Sequence, residues 1–228
     1  MTMKPEETEV WEPIPRVVTP GGGPNPPSDA FILFGGKDMS AWDIPENTHW
    51  KVEGGIVTIM PSQERQEKPV WIFSKAQFGD IQLHVEWRSP KKVEGEGQRR
   101  GNSGIFLPGR YEVQILDSYQ NPTYVNGQCA SIYKQQPPLV NACRKPGEWQ
   151  TYDIIFKAPR FFRDGRLKAA ARVTVIQNGV LVQNHVKIKG GTTFIGYPKY
   201  VPHPVRQSIG LQDHGDAVSF RSIWLREL

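Results

Sequence analysis

The feature that most restricts this 228-residue chain is a succession of short apolar runs of strand length, with no helix-length periodic segment between them. FILFGG (31–36), VWIFS (70–74), DIQLHVEWRS (80–89), SGIFL (103–107), YEVQILD (111–117), TYDIIFKA (151–158), ARVTVIQ (171–177), VLVQNHVKI (180–188) and the C-terminal VSFRSIWLREL are predicted strands. Gly54 and Gly55 inside HWKVEGGIVTIM, and Asn178-Gly179 between two apolar runs, predict tight hairpins, because such turns need backbone at positive φ. The 22 Gly and 20 Pro are spread along the chain, as many closely spaced turns require. Strand after strand without crossover helices disfavours a doubly wound α/β fold and predicts an all-β sandwich of two antiparallel sheets.

Residues 1–29 differ from the rest. WEPIPRVVTPGGGPNPPSD is polar and rich in Pro and Gly, so it can neither nucleate a helix nor sit in a central strand, and an extended arm is expected there. A single folded domain is then expected over 30–228. The net charge of +5 comes from Lys and Arg interspersed with Asp and Glu, without the basic stripe that a nucleic-acid partner would need. No run approaches the roughly 20 apolar residues of a membrane span, and the N-terminus lacks the pattern of a signal peptide. Cys129 and Cys143 are spaced either to bridge one loop or to remain free, and neither has a close Cys or His with which to hold a metal.

Strand alternation also sorts polar residues by face. In DIQLHVEWRS, Gln82, His84, Glu86 and Arg88 share the face opposite Ile81, Leu83, Val85 and Trp87. In YEVQILD, Glu112 and Gln114 lie opposite Tyr111, Val113 and Ile115, with Asp117 falling in the apolar set unless a bulge intervenes. If the two strands were neighbours, Glu86, Arg88, Glu112 and Gln114 would form one cluster suited to sugar hydroxyls; the plain alternative is a surface Glu–Arg pair. Gln212, Asp213 and His214 precede Gly215 and the last strand, where an imidazole beside a carboxylate can serve as a base or a metal ligand, or Asp213 can simply shape the turn. The 118–150 segment is long and irregular, a length that often carries function. Its Tyr119 and Tyr124 are candidates for stacking on a sugar ring, while Trp149 at the start of a strand is expected to pack.

FGGKDMSAW (34–42), W-x-VEGGIV (50–57), F-x-D-x-x-L-x-VEWR (78–88), GNSGIF (101–106), YEVQILD, KPGEWQTYDI (145–154), the Asn-Gly hairpin and IGLQDHGDAVSFRSIWLREL (209–228) together resemble the 3-keto-disaccharide hydrolase family, from about Phe31 to the last residue. The resemblance implies a concanavalin-like lectin/glucanase jelly roll with its site on the concave sheet, a carbohydrate substrate carrying a ketone at carbon 3, and residence in the bacterial periplasm or outside the cell. The positions matching its motifs are Glu86, Arg88, Asn102, Ser103, Glu112, Gln114, Asp117, Gln212, Asp213 and His214. Glu112-x-Gln114-x-x-Asp117 also resembles the E-x-D-x-x-E strand motif of jelly-roll glucanases, but only Glu112 keeps its carboxylate at the matching position.

Chemistry favours the keto-sugar route independently. Retaining glycoside hydrolysis needs two carboxyl groups about 5 Å apart, whereas a ketone at carbon 3 acidifies the hydrogen at carbon 2 and opens an elimination that one base can start. The expected roles are His214 or Glu112 as base, Arg88, Lys134 or a divalent ion holding the enolate, and Glu86 as acid. No cofactor is demanded by any spacing, and a metal held by His214 with Glu86 or Glu112 is an alternative on donor chemistry alone. A non-catalytic carbohydrate-binding module and an ordinary jelly-roll glycoside hydrolase are the competing functions.

Overall fold

The structure is a computed structural model that describes residues 3–22, 25–61 and 68–228. Fifteen strands follow one another: β1 (Phe31–Phe34), β2 (Trp42–Asp43), β3 (Trp50–Glu53), β4 (Ile56–Ile59), β5 (Val70–Ser74), β6 (Ile81–Arg88), β7 (Ser103–Leu107) and β8 (Tyr111–Ile115). Then come β9 (Gln150–Lys157), β10 (Arg160–Phe161), β11 (Leu167–Ala169), β12 (Arg172–Gln177), β13 (Val180–Lys187), β14 (Gly210–Asp213) and β15 (Ser219–Glu227). Among the described residues the helical elements are 3-10 turns at Pro5–Thr8, Gly97–Arg99 and Val125–Gly127. The first of these lies in the arm, where Pro5 opens the turn because its missing N–H would be unbonded there anyway. Arm residues 1, 2, 23 and 24 fall outside the described residues.

One sheet runs β13-β12-β9-β6-β15-β4-β3, with β1 pairing the second half of β15 beyond the reach of β4. The other runs β2-β5-β14-β7-β8, and β10-β11 form a separate small ribbon. Pairing is antiparallel throughout both sheets, giving the jelly-roll sandwich. Ile81, Leu83, Val85 and Trp87 of β6 face Ile72, Ile105, Val113, Ile115 and Leu211 of the smaller sheet, and all are fully buried in one core. A bulge in β15 at Ser222, whose φ is 47°, resets the alternation so that both Phe220 and Ile223 point into that core.

The predicted strands all form. Alternation did not mark β2, β10, β11 or β14, which have two to four residues each, too few for a period to declare itself. β14 matters most of these, because it inserts between β5 and β7 and turns Gly210–Asp213 from an approach to a turn into the centre of the smaller sheet. Cys129 and Cys143 are free thiols.

Candidate active site

The register of the smaller sheet defines its outer face. Ile72, Ile105, Val113 and Leu211 point into the core, so the alternate positions form rows on the opposite side: Glu112, Phe106, Gly210 and Phe73 in one, Gln114, Gly104, Gln212 and Trp71 in the next. Asn102 continues the face beyond Gly104, one alternation along the chain. This face is covered, as both β7 and β8 are buried along their whole length.

The cover comes from the long segment between β8 and β9. Its residues 130–133 run along the free edge of β8 like a further strand: Gln114 N donates to Ser131 O at 3.0 Å, Ala130 N to Gln114 O at 2.9 Å, and Tyr133 N to Glu112 O at 3.2 Å. On the same strand Glu112 N donates to Thr192 Oγ1 at 3.0 Å, drawing in the 189–207 loop. The Tyr124 and Tyr133 hydroxyls lie 2.7 Å apart, and Lys134 Nζ donates to Phe194 O at 2.6 Å beside the Phe194 ring. Lys134 sits at φ 56°, a left-handed kink that ends the added strand and turns the chain back to Asn126 O.

Glu112 is the centre of this arrangement. It is 4% exposed, and burial alone pushes its carboxyl up to about 8. The Gln114 amide lies 3.0 Å from Glu112 Oε1 and 3.1 Å from the Ser103 carbonyl; with its nitrogen on that side it donates to both. Burial also raises the Tyr124 and Tyr133 hydroxyls, with the Glu112 charge adding to the effect on each. Gly104 makes the close approach possible, since a Cβ there would stand 2.6 Å from Glu112 Oε1. The Trp71 indole N–H is buried and without a partner among the described residues, a donor that a ligand oxygen would satisfy.

Several expected site residues lie elsewhere. Glu86 and Arg88 do not join Glu112 and Gln114, because β6 and β8 belong to different sheets and present their polar positions on opposite outsides of the sandwich. The core between them is roughly 10 Å thick. Glu86 instead pairs with Arg221 Nε at 2.6 Å, with His84 Nε2 at 3.8 Å, and Arg88 and Arg221 both lie over Trp149, at 4.7 and 4.2 Å from its ring centre. Trp149 therefore packs, as expected, although against guanidinium groups. His214 lies two strands across and four residues along from Glu112, roughly 15 Å between Cα atoms by strand geometry. It cannot share one metal ion with Glu86 or Glu112, and among the described residues no group of three His, Cys, Asp or Glu side chains is placed to hold a metal ion.

Other expected residues have structural partners. Asp213 accepts from Thr48 Oγ1 at 2.5 Å and from Gly215 N at 2.9 Å, which is the turn-shaping alternative. Asp117 is held by Arg100 Nε at 2.6 Å and takes the Tyr119 N–H, while the Tyr119 carbonyl accepts from Arg100 Nη2. Ser103 turns from the outer face and donates to Gln212 O at 2.6 Å, tying β7 to β14. Asn102 Nδ2 donates to Gln98 O at 2.8 Å. Sequence reasoning thus found Glu112, Gln114, Gln212, Asn102, Tyr124 and Lys134 on or around the covered face, and missed Trp71, Phe106, Gly104 and Thr192. For Trp71 a signal existed, since in VWIFS it alternates with the core residue Ile72.

Residues 30–226 match the family described as 3-keto-alpha-glucoside-1,2-lyase-like domain. Among solved structures, a candidate glycosyl hydrolase from Parabacteroides distasonis is 50% identical, covers 99% of this chain and 97% of its own, and superposes with a TM-score of 0.90. A second candidate glycosyl hydrolase from the same organism shares the fold at 22% identity and a TM-score of 0.61, over 87% of this chain and 99% of its own. No curated protein matches the chain.

Proposed function

From the premise that this chain belongs to the family of 3-keto-alpha-glucoside-1,2-lyase-like domains, we propose that it cleaves the glycosidic bond of a 3-keto-glucoside, with Glu112 as the base. The coarser statement, an enzyme of the glycosyl-hydrolase kind, is supported by the family and by the 50% identical relative. The observation that carries the finer one is the buried Glu112 carboxyl, pushed up to about 8 on a face whose neighbouring positions hold no second carboxylate.

A base that removes hydrogen from carbon works best when its pKa lies near the working pH, and burial places Glu112 there. The ionised carboxylate takes the proton from carbon 2, and the electron pair forms the enolate with the carbon 3 oxygen. The enolate collapses by expelling the glycosidic oxygen from carbon 1, which leaves as an alcohol once protonated. Water then adds at carbon 1 across the new double bond and a proton returns to carbon 2, so the balance is hydrolysis. Lys134 and the Tyr124–Tyr133 hydroxyl pair are the donors in this reading for the enolate and the leaving oxygen, in place of Arg88 and Glu86. Phe106, Phe73 and Trp71 offer apolar surface for the sugar ring. With Gln114, Gln212 and Phe106 flanking Glu112, the pair of carboxylates a retaining hydrolase needs is missing from these rows.

The test is incubation with matched plain and 3-keto glucosides in deuterated water. Cleavage of the keto-sugar alone, with deuterium appearing at carbon 2, is the expected result, and Glu112→Gln abolishes both. Cleavage of the plain glucoside would mean an ordinary hydrolase, and binding without cleavage a carbohydrate-binding module.

A further inference from the structure

Residues 3–17 are exposed at every position, so the apolar side chains of this stretch are not buried against its own chain. Val10, Trp11, Ile14 and Val17 are 86, 80, 81 and 93% exposed. Apolar side chains of this size gathered in one short stretch of surface mark a binding segment. Glu6, Glu7, Glu9 and Glu12 surround them, opposed by Lys4 and by Arg16, which leaves this stretch with a net charge of about −2 in a chain whose net charge is +5. The base of the arm is fixed: Arg16 Nη2 donates to Asp29 Oδ2 at 2.7 Å, Asp29 also takes Arg226 Nη2 at 2.7 Å, and Thr19 N donates to Ser28 Oγ at 3.0 Å.

A matching surface lies on the outer face of the larger sheet. The register of β9, β12 and β13 sets Lys157, Arg172 and Lys187 directly opposite one another, and all three are exposed. Like charges opposed across strands repel, yet among the described residues none of the three has a carboxylate partner, and Arg172 reaches only the His185 carbonyl at 3.3 Å. The same face exposes Ile155 two residues from this row and Leu181 further along, opposite Ile176, at 45 and 41%. Cations next to apolar surface complement an arm that carries carboxylates next to apolar side chains.

We infer that the arm of one molecule docks on the Lys157–Arg172–Lys187 face of a second copy of this chain, which returns its own arm. The exchange is self-complementary and closes at two, so it makes a dimer rather than a filament. Charge complementarity argues for this occupant: an acidic segment leaves its apolar side chains exposed, while the basic counterpart surface is exposed as well.

Sedimentation of the full-length protein from micromolar to submillimolar concentration, at low and high salt, tests the inference. The expected result is a dimer that salt weakens, whose association drops by about tenfold or more in Trp11→Ser with Ile14→Ser and, separately, in Arg172→Glu with Lys187→Glu. Reversing Glu6, Glu7, Glu9 and Glu12 to Lys in the second variant restores association. Thermal unfolding checks that each variant folds. A wild-type monomer over the whole range, a dimer indifferent to the arm substitutions, or an arm protected from protease in the monomer would each overturn it, the last by placing the arm on its own chain.

Discussion

The two outer faces of the sandwich begin from the same sequence pattern and end as different chemistry. On β6, Gln82, His84 and Glu86 alternate with core residues, and each carboxylate or ring nitrogen finds a charged or polar partner: Glu86 with Arg221, His84 with Asp153 at 2.7 Å. On β8, Glu112 and Gln114 alternate with core residues in the same way, but a covering loop removes them from water and no cation among the described residues meets the carboxyl. The lesson is that alternation identifies a non-core face and leaves open whether it becomes a charge network or a site. What decides is the cover, and the cover comes from a segment far from either strand in pattern.

The sharpest way to break this comparison is to remove each carboxylate in turn. Glu112→Gln is expected to lower kcat/KM on a 3-keto-glucoside by about a thousandfold, in the range for loss of a general base, while Glu86→Gln stays within about threefold. Equal losses would show that the β6 face takes part. Next in size is the pH profile: with the carboxyl at about 8, kcat/KM should climb roughly tenfold per pH unit from pH 6 and level off above 8. A profile already flat at pH 6 would contradict a carboxyl held up by burial. Gly104→Ala should cost about tenfold to a hundredfold in rate, because its Cβ would stand 2.6 Å from Glu112 Oε1 and push the carboxylate out of place.

Stability gives the smallest effect and separates the faces without substrate. Burial raises the folded pKa of Glu112 above its unfolded value, so between the two the folded state holds the extra proton and stability falls as pH rises. Wild type should therefore lose a few kcal/mol relative to Glu112→Gln between about pH 5 and 8, measured by denaturant unfolding. Glu86→Gln is expected to cost only about 1 kcal/mol, since Arg221 is 41% exposed and water screens the pair.

Most of the fold was legible because strand period and turn chemistry are local. Gly54-Gly55 and Asn178-Gly179 close the β3–β4 and β12–β13 hairpins as their sequences require. The site was legible only in part. Glu112 and Gln114 sit on a face that alternation could name, and Gln212 beside them needed a motif resemblance to stand out. The separation of Glu86 from Glu112 depends on which strands pair, and that is set by partners more than 100 residues away, such as Glu86 with Arg221. Tyr133 and Thr192 reach the Glu112 backbone from loops without any period, so no pattern in the chain announces them.

The order of the strands carries a consequence for synthesis. β14 fills the gap between β5 and β7, and β15 the gap between β6 and β4, so one C-terminal stretch, Gly210 to Glu227, supplies an inner strand to each sheet. Until that stretch has emerged from the ribosome, both sheets are split and each half presents unpaired edges. The nascent molecule must therefore wait, open on both sides, and the floor beneath Glu112 is assembled at the final step of folding.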